Sequence, residues 1–293
     1  MKQFLFFFIR CWAFLLVVTN TPSYAQIATQ VVISQVYGGG GNSGATLRND
    51  FIELYNPTSS AISLAGWSIQ YASATGTTWS KTDLTGSIPA YGYYLIQQAQ
   101  GAGGTTNLPN PDVIGTINMS GTAGKVALRN NNTVIATGTS CVTGDANTVD
   151  FVGFGSTVNC SEGNSPTPAP SNTNAVIRKT NSTTNNNAFG NAWDSNNNAN
   201  DFLAVTPVPR NSSNFAPLFT TTPAIGNITA TGFDLTVQTS KTGNVYVVLV
   251  GDGETAPSVI QVKNGQNAAG TSLDANLKAT LPIATANTDF TQS

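Results

Sequence analysis

Apolar residues fall in short runs along this chain, and turn-forming residues close each run. Residues 30–37 run into four glycines, Gly38-Gly39-Gly40-Gly41, and residues 50–55 run into Asn56-Pro57. Further runs at 66–71, 93–97, 125–129, 134–137 and 149–154 alternate or are locally apolar, and no window keeps a 3.6-residue period. Many short strands with Gly, Asn and Pro between them predict an all-β sandwich or barrel.

The first residues carry a different pattern. Lys2 precedes an almost wholly apolar stretch from Phe4 to Val18, and Ser23-Tyr24-Ala25 leads into Gln26. Small residues at the third and first positions before a cut mark a secretory signal peptide, so 1–25 is expected to be removed after Ala25. The run is shorter than the roughly 20 residues of a membrane span and contains Arg10. An uncleaved anchor is the alternative, and no later segment is apolar enough to span.

Polar, Asn-rich sequence follows the strands. Residues 162–174 are rich in Ser, Pro, Thr and Asn, and 181–200 are very rich in Asn, a composition that seldom packs alone. Phe189, Trp193, Phe202 and Leu203 punctuate it and are expected to fold back on the sandwich. Thr206-Pro207-Val208-Pro209 reads as a semi-rigid connector. Beyond it, 227–230, 233–238 and 244–250 read as three strands, too little chain to close a sandwich. The expected organisation is a leader at 1–25, a β-sandwich at 26–215 and an incomplete second β-sandwich module at 216–293.

Composition narrows the chemistry. Removing Lys2 and Arg10 leaves 10 basic against 14 acidic residues, a net charge of −4. With the basic residues scattered, this argues against nucleic acid as a partner, which takes a clustered basic face. Histidine is absent, which removes Ser-His-Asp and Cys-His catalysis and the usual zinc hydrolases. Cys141 and Cys160 remain after the leader is lost; without histidine a disulfide is the better reading than a metal site.

The ordered segments Val32-Ile33-Ser34-Gln35-Val36-Tyr37, Asn49-Asp50-Phe51-Ile52-Glu53-Leu54-Tyr55-Asn56-Pro57, Gly66-Trp67-Ser68-Ile69-Gln70-Tyr71 and Tyr93-Tyr94-Leu95-Ile96 are followed by Gly124-Lys125-Val126-Ala127-Leu128 and Val149-Asp150-Phe151-Val152-Gly153-Phe154-Gly155. With Asn200-Asp201-Phe202, this set resembles the bacterial form of the lamin tail domain from about residue 27 to 215. The resemblance implies an immunoglobulin-like β-sandwich used for binding or tethering, often appended to secreted hydrolases. Gln35 stands where that family often has Glu, so a carboxylate role is lost there. The region from Pro217 onward is similar to fibronectin-type-III-like repeats of exported Bacteroidetes proteins.

Candidate chemistry is sparse. Asp50 and Glu53 are the nearest carboxylate pair, but residues three apart on a strand point to opposite faces. Structural roles, a cap for Asp50 and an arginine or turn partner for Glu53, compete with catalysis. Gly121-Thr122-Ala123-Gly124-Lys125 has phosphate-loop residues, but Val126 stands where a Ser or Thr is required. Asp194, Asn196, Asn198 and Asp201 could converge on calcium, a cation that takes six to eight oxygens. Asx turns explain the same residues without a metal. Tyr91 and Trp79 are candidate exposed aromatics for a glycan or protein ligand, whereas Trp67 is expected in the core. The sum is an exported, non-catalytic binding or tethering module, at the cell surface or outside the cell, with no cofactor other than calcium. Two alternatives are the front region of a secreted hydrolase of nuclease or phosphatase type, its catalytic domain beyond Ser293, and a structural cell-surface protein.

Overall fold

The computed structural model describes residues 27–180, 190–215, 217–229, 232–251 and 253–292. The leader at 1–25 and Phe189 lie outside them. The chain divides into two compact units between Ser213 and Asn214.

The first unit is built from twelve strands: β1 (Val32–Tyr37), β2 (Asn49–Tyr55), β3 (Ile62–Ser63), β4 (Ser68–Ser73), β5 (Ser80–Asp83), β6 (Ser87–Ile88), β7 (Tyr93–Gln100), β8 (Val113–Ile114), β9 (Gly124–Arg129), β10 (Thr148–Phe154), β11 (Ala175–Arg178) and β12 (Phe202–Val205). One helical turn, α1 (Asn198–Asp201), precedes β12. A six-stranded sheet in the order β12-β11-β1-β2-β7-β8 and a four-stranded sheet in the order β10-β9-β4-β5 make the two layers, and β3-β6 form a small ribbon. Pairing is antiparallel except at β7-β8.

The period of two in the strands sends alternate residues between the layers. Ile33 of β1 and, past a register shift between Ile33 and Gln35, Val36, with Ile52 and Leu54 of β2 and Tyr94 and Ile96 of β7, meet Ile69, Val126, Leu128, Val152 and Phe154 of the opposite sheet; Val176 and Phe202 complete this core. The outer faces are covered as well. Leu47 and Leu108 pack from loops on Tyr37, Phe51 and Leu95 of the six-stranded sheet. Ile135, Val142 and Cys160 pack from loops, with Trp79 from the segment before β5, on Ala72, Ala127 and Phe151 of the four-stranded sheet.

The run at 134–137, expected to be a strand, is not one. Its backbone is held by a side chain instead: the Gln70 amide donates to Thr133 O (2.8 Å) and accepts from Ile135 N (2.9 Å). Ile135 thereby reaches the outer core without a ladder. Trp67 is half-buried at the rim of the central core, whereas Trp79, offered as an exposed platform, is 5% exposed. Its indole donates to Thr139 O (2.8 Å) and its ring meets Phe151 edge-on. Trp79 is a core residue under a loop, and its ring is not available to a ligand.

The second unit holds β13 (Ala224–Gly226), β14 (Asp234–Val237), β15 (Gly243–Val248), α2 (Val259–Lys263), β16 (Lys278–Ile283) and β17 (Phe290–Gln292). They form a three-stranded sheet β13-β14-β17 and a hairpin β15-β16. The strand expected at 227–230 sits at 224–226, because Asn227 has φ 49° and turns the chain. Val237, Leu281 and Ile283 are buried here, whereas Phe219, Ile225, Ile228 and Ile260 stay exposed.

Candidate functional site

Four loops meet at one end of the sandwich: the glycine run after β1, residues 101–106 after β7, 119–122 before β9 and 171–173 before β11. They interlock through backbone. Gly41 N donates to Leu47 O (2.8 Å) and Gly103 N to Gly41 O (2.7 Å). Asn42 and Asn172 bond side chain to side chain, Asn172 also donates to Ser43 O, and the Tyr37 hydroxyl donates to Asn172 O (2.5 Å). A Cβ on Gly40 would lie 2.0 Å from the carbonyl carbon of Asn49, and Gly41 has φ 66°. Only glycine fits either position. The exposed rim is small and polar: Asn42, Ser43, Thr105, Thr106, Thr122 and Thr173, with Arg48 beside them.

Asp50 lies beneath this end, 2% exposed. One carboxylate oxygen accepts from Gly40 N and the other from Met119 N, each at 2.9 Å. Burial raises its pKa to about 7, and the two backbone donors only partly offset that. Glu53, three residues on, faces the other side of the sheet. It accepts from Gln35 (2.9 Å) and the Ser34 hydroxyl, and pairs with Arg210 at 2.9 Å. Burial pushes its pKa up, while Arg210, Ser34 and Gln35 pull it back. The two carboxylates therefore serve separate structural networks and do not flank a common point.

Arg210 belongs to a strap, residues 207–213, laid over the outer face of the six-stranded sheet. Gln35 accepts from Val208 N (3.1 Å) and donates to Val208 O (2.6 Å), reading that peptide as a neighbouring strand would. Arg210 donates from its backbone to Glu53 (2.7 Å), bonds the Tyr93 hydroxyl (2.8 Å) and stacks 3.7 Å over the Tyr93 ring. Ser212 N donates to Asp112 (3.0 Å). Gln35 is thus a strap anchor.

The acidic run at 194–201 is organised around Arg178. This guanidinium is fully buried and makes two bonds to Asp150 (3.0 and 2.7 Å), with Asp194 at 3.4 Å and Asp201 at 4.0 Å. Burial opposes its charge, but the surrounding carboxylates outweigh burial and raise its pKa. Glu162, half-buried beside them, is driven up to about 9 by burial and by Asp150. Asp201 accepts from Ser195 N and Asn197 N, Asn198 from Gly153 N and Glu162 N, and Asp194 from Asn196 N. Asn196 turns the chain at φ 52°. This is the hydrogen bonding of Asx turns, with a guanidinium standing where the carboxylates converge. Among the described residues, no group of three or more His, Cys, Asp or Glu side chains is placed to hold a metal ion.

Cys141 and Cys160 form a disulfide with their Cα atoms 5.5 Å apart. Beside it the fully buried Lys125 donates to Gly76 O, Ser140 O and Asn159, all at 2.8 Å, and desolvation lowers its pKa. Lysine and disulfide together pin three loops over the outer core of the four-stranded sheet. Replacing both cysteines by serine is expected to cost about 3 kcal/mol for a loop of this length, read as a lowered denaturant midpoint. Thiol titration of the unfolded, unreduced chain should find neither cysteine free. Tyr91 is half-buried in a turn at φ 47° between Pro89 and Gly92, away from the four loops. Sequence reasoning missed Arg178, Arg210 and Lys125; the available signal was a lone charge in an apolar strand, as in Ala175-Val176-Ile177-Arg178 and Gly124-Lys125-Val126-Ala127-Leu128.

A search of curated proteins finds no match to the chain. A family model does match residues 25–155, and its description is Lamin Tail Domain. That span covers β1 to β10, both layers and the glycine loop, and the two-layer all-β architecture is the one this family's immunoglobulin-like fold requires. The chain therefore carries a lamin tail domain at residues 25–155.

Proposed function

We propose that the chain is an exported, non-catalytic binding or tethering module that acts at the cell surface or outside the cell. Its ligand is a protein or a glycan held at the loop end of the first unit. The observation that carries this reading is the interlocked four-loop end, where Asn, Ser and Thr side chains stand on a backbone fixed by glycine contacts and amide ladders. Such a surface loses little entropy on binding. The disulfide and the absence of a membrane-crossing helix among the described residues are compatible with an extracellular protein. Cleavage after Ala25 is part of the proposal.

The test uses the labelled chain and the envelope of the cells that produce it. Mass spectrometry of the exported protein should find Gln26 as its first residue. Saturable envelope binding should fall by about tenfold or more when Asn42, Thr122 and Thr173 are all replaced by alanine, if they form the centre of the contact. Undiminished binding of the triple variant would move the site elsewhere. Turnover of a generic phosphodiester or phosphomonoester by the purified chain would refute the non-catalytic reading.

A further inference from the structure

The loop end contains a device that the binding proposal does not use. Asp50 is a buried carboxylate whose two hydrogen-bond partners, Gly40 N and Met119 N, are both donors. They belong to different loops, so one side chain ties the glycine run to the segment that leads into β9. The titratable groups that feel its charge are Tyr37 from β1 and Tyr71 from β4, and both are neutral below the alkaline range. The glycine run and the 117–120 segment offer it backbone only. Arg48, at the entry to β2, is exposed.

We propose that Asp50 is a proton-operated latch on the loop end: ionised, it holds Gly40 and Met119 together, and protonated, it loosens its hold on one of them. A carboxylate accepts on both oxygens, but a carboxylic acid turns one of them into a donor. That O–H needs an acceptor, and the two partners it has, Gly40 N and Met119 N, are both donors. With the group's pKa raised to about 7, the exchange falls in the neutral range. The latch stands whether or not this end takes the ligand proposed above.

The sign for the whole fold runs opposite to the sign for the loop. Burial favours the neutral carboxyl, so the folded state binds this proton more tightly than the unfolded chain, where Asp titrates near about 3.9. Asp50 therefore adds most to global stability below that value, and its share is lost as pH rises towards 7. Locally, acid frees a loop while the sandwich as a whole gains.

The experiment is NMR on the full chain between pH 5 and 9, following the amides of Gly40 and Met119 and the ¹³C shift of the Asp50 carboxyl. The two amides should titrate with one common midpoint near that of the carboxyl, and one loop should exchange its amide protons faster on the acid side. Asp50→Asn, which carries a donor permanently, should hold both amides at their acid-side positions with no titration. A carboxyl that stays ionised across the range would overturn the latch. So would amides that titrate as before in Asp50→Asn. Should that variant fail to fold, the wild-type carboxyl and amide midpoints decide alone: coincidence supports the latch and disagreement refutes it.

Discussion

Arg178→Met should destabilise the first unit by about 3–5 kcal/mol, the usual cost of leaving a buried charge without its partner. Asp150 is as buried as the arginine and would keep Asp194, Asp201 and Glu162 for neighbours. Methionine matches the volume of the arginine stem, so the loss would come from charge and not from a cavity. Against a total stability of about 5–15 kcal/mol for a domain, the variant should unfold at markedly lower urea, seen by tryptophan fluorescence and circular dichroism alike. The companion variant tests the cause. Adding Asp150→Asn removes the orphaned charge but keeps an oxygen that can accept from Ile33 N or Phe151 N. The double variant should recover more than half of the lost midpoint. A single variant within about 0.5 kcal/mol of wild type, the range of ordinary surface changes, would show that this ion pair does not hold the layers.

Arg178 also marks the limit of what the chain makes legible before folding. The apolar halves of β1, β2, β4, β7, β9 and β10 were readable because burial repeats every second residue. Their polar halves were misleading. Gln35, Glu53, Gln70, Lys125 and Arg178 alternate with apolar residues as solvent-facing positions do, yet all five are 0% exposed. The reason is tertiary: the strap and the loops at 133–142 and 155–161 close over the outer faces, and nothing local announces which loop covers which sheet. Strands β3, β5, β6 and β8 were unreadable for another reason. They are short edge or ribbon elements, and β5, Ser-Lys-Thr-Asp, has no apolar repeat; β4 recruits it as an antiparallel partner. Of the candidate site, the glycine run was visible as a loop, but its meeting with 101–106, 119–122 and 171–173 rests on contacts across up to 135 residues.

A chain ended at residue 155, where the lamin tail match stops, should fail to fold, whereas one ended at residue 213 should fold cooperatively. The match ends before β11 and β12, but β1 lies inside the six-stranded sheet only because β11 pairs on its far side. Removing them would bare that edge of β1, a row of unpaired backbone groups that invites association. It would also take Val176 and Phe202 from the central core, and losing a buried Phe side chain alone costs about 3–5 kcal/mol. Asp150 would lose Arg178, Glu53 would lose Arg210, and Cys141 would lose Cys160. Each loss is a large fraction of the about 5–15 kcal/mol that holds a whole domain, so two or three of them together are decisive. The measurement is the yield of soluble 26–155 and 26–213 polypeptides, followed by urea melts and proton NMR dispersion. A sharp melt of the shorter chain, with a midpoint close to that of the longer one, would show that β1 to β10 suffice. The expected contrast, insoluble against cooperative, would place the working boundary of the first unit at the strap that Gln35 and Glu53 hold, some sixty residues past the end of the family match.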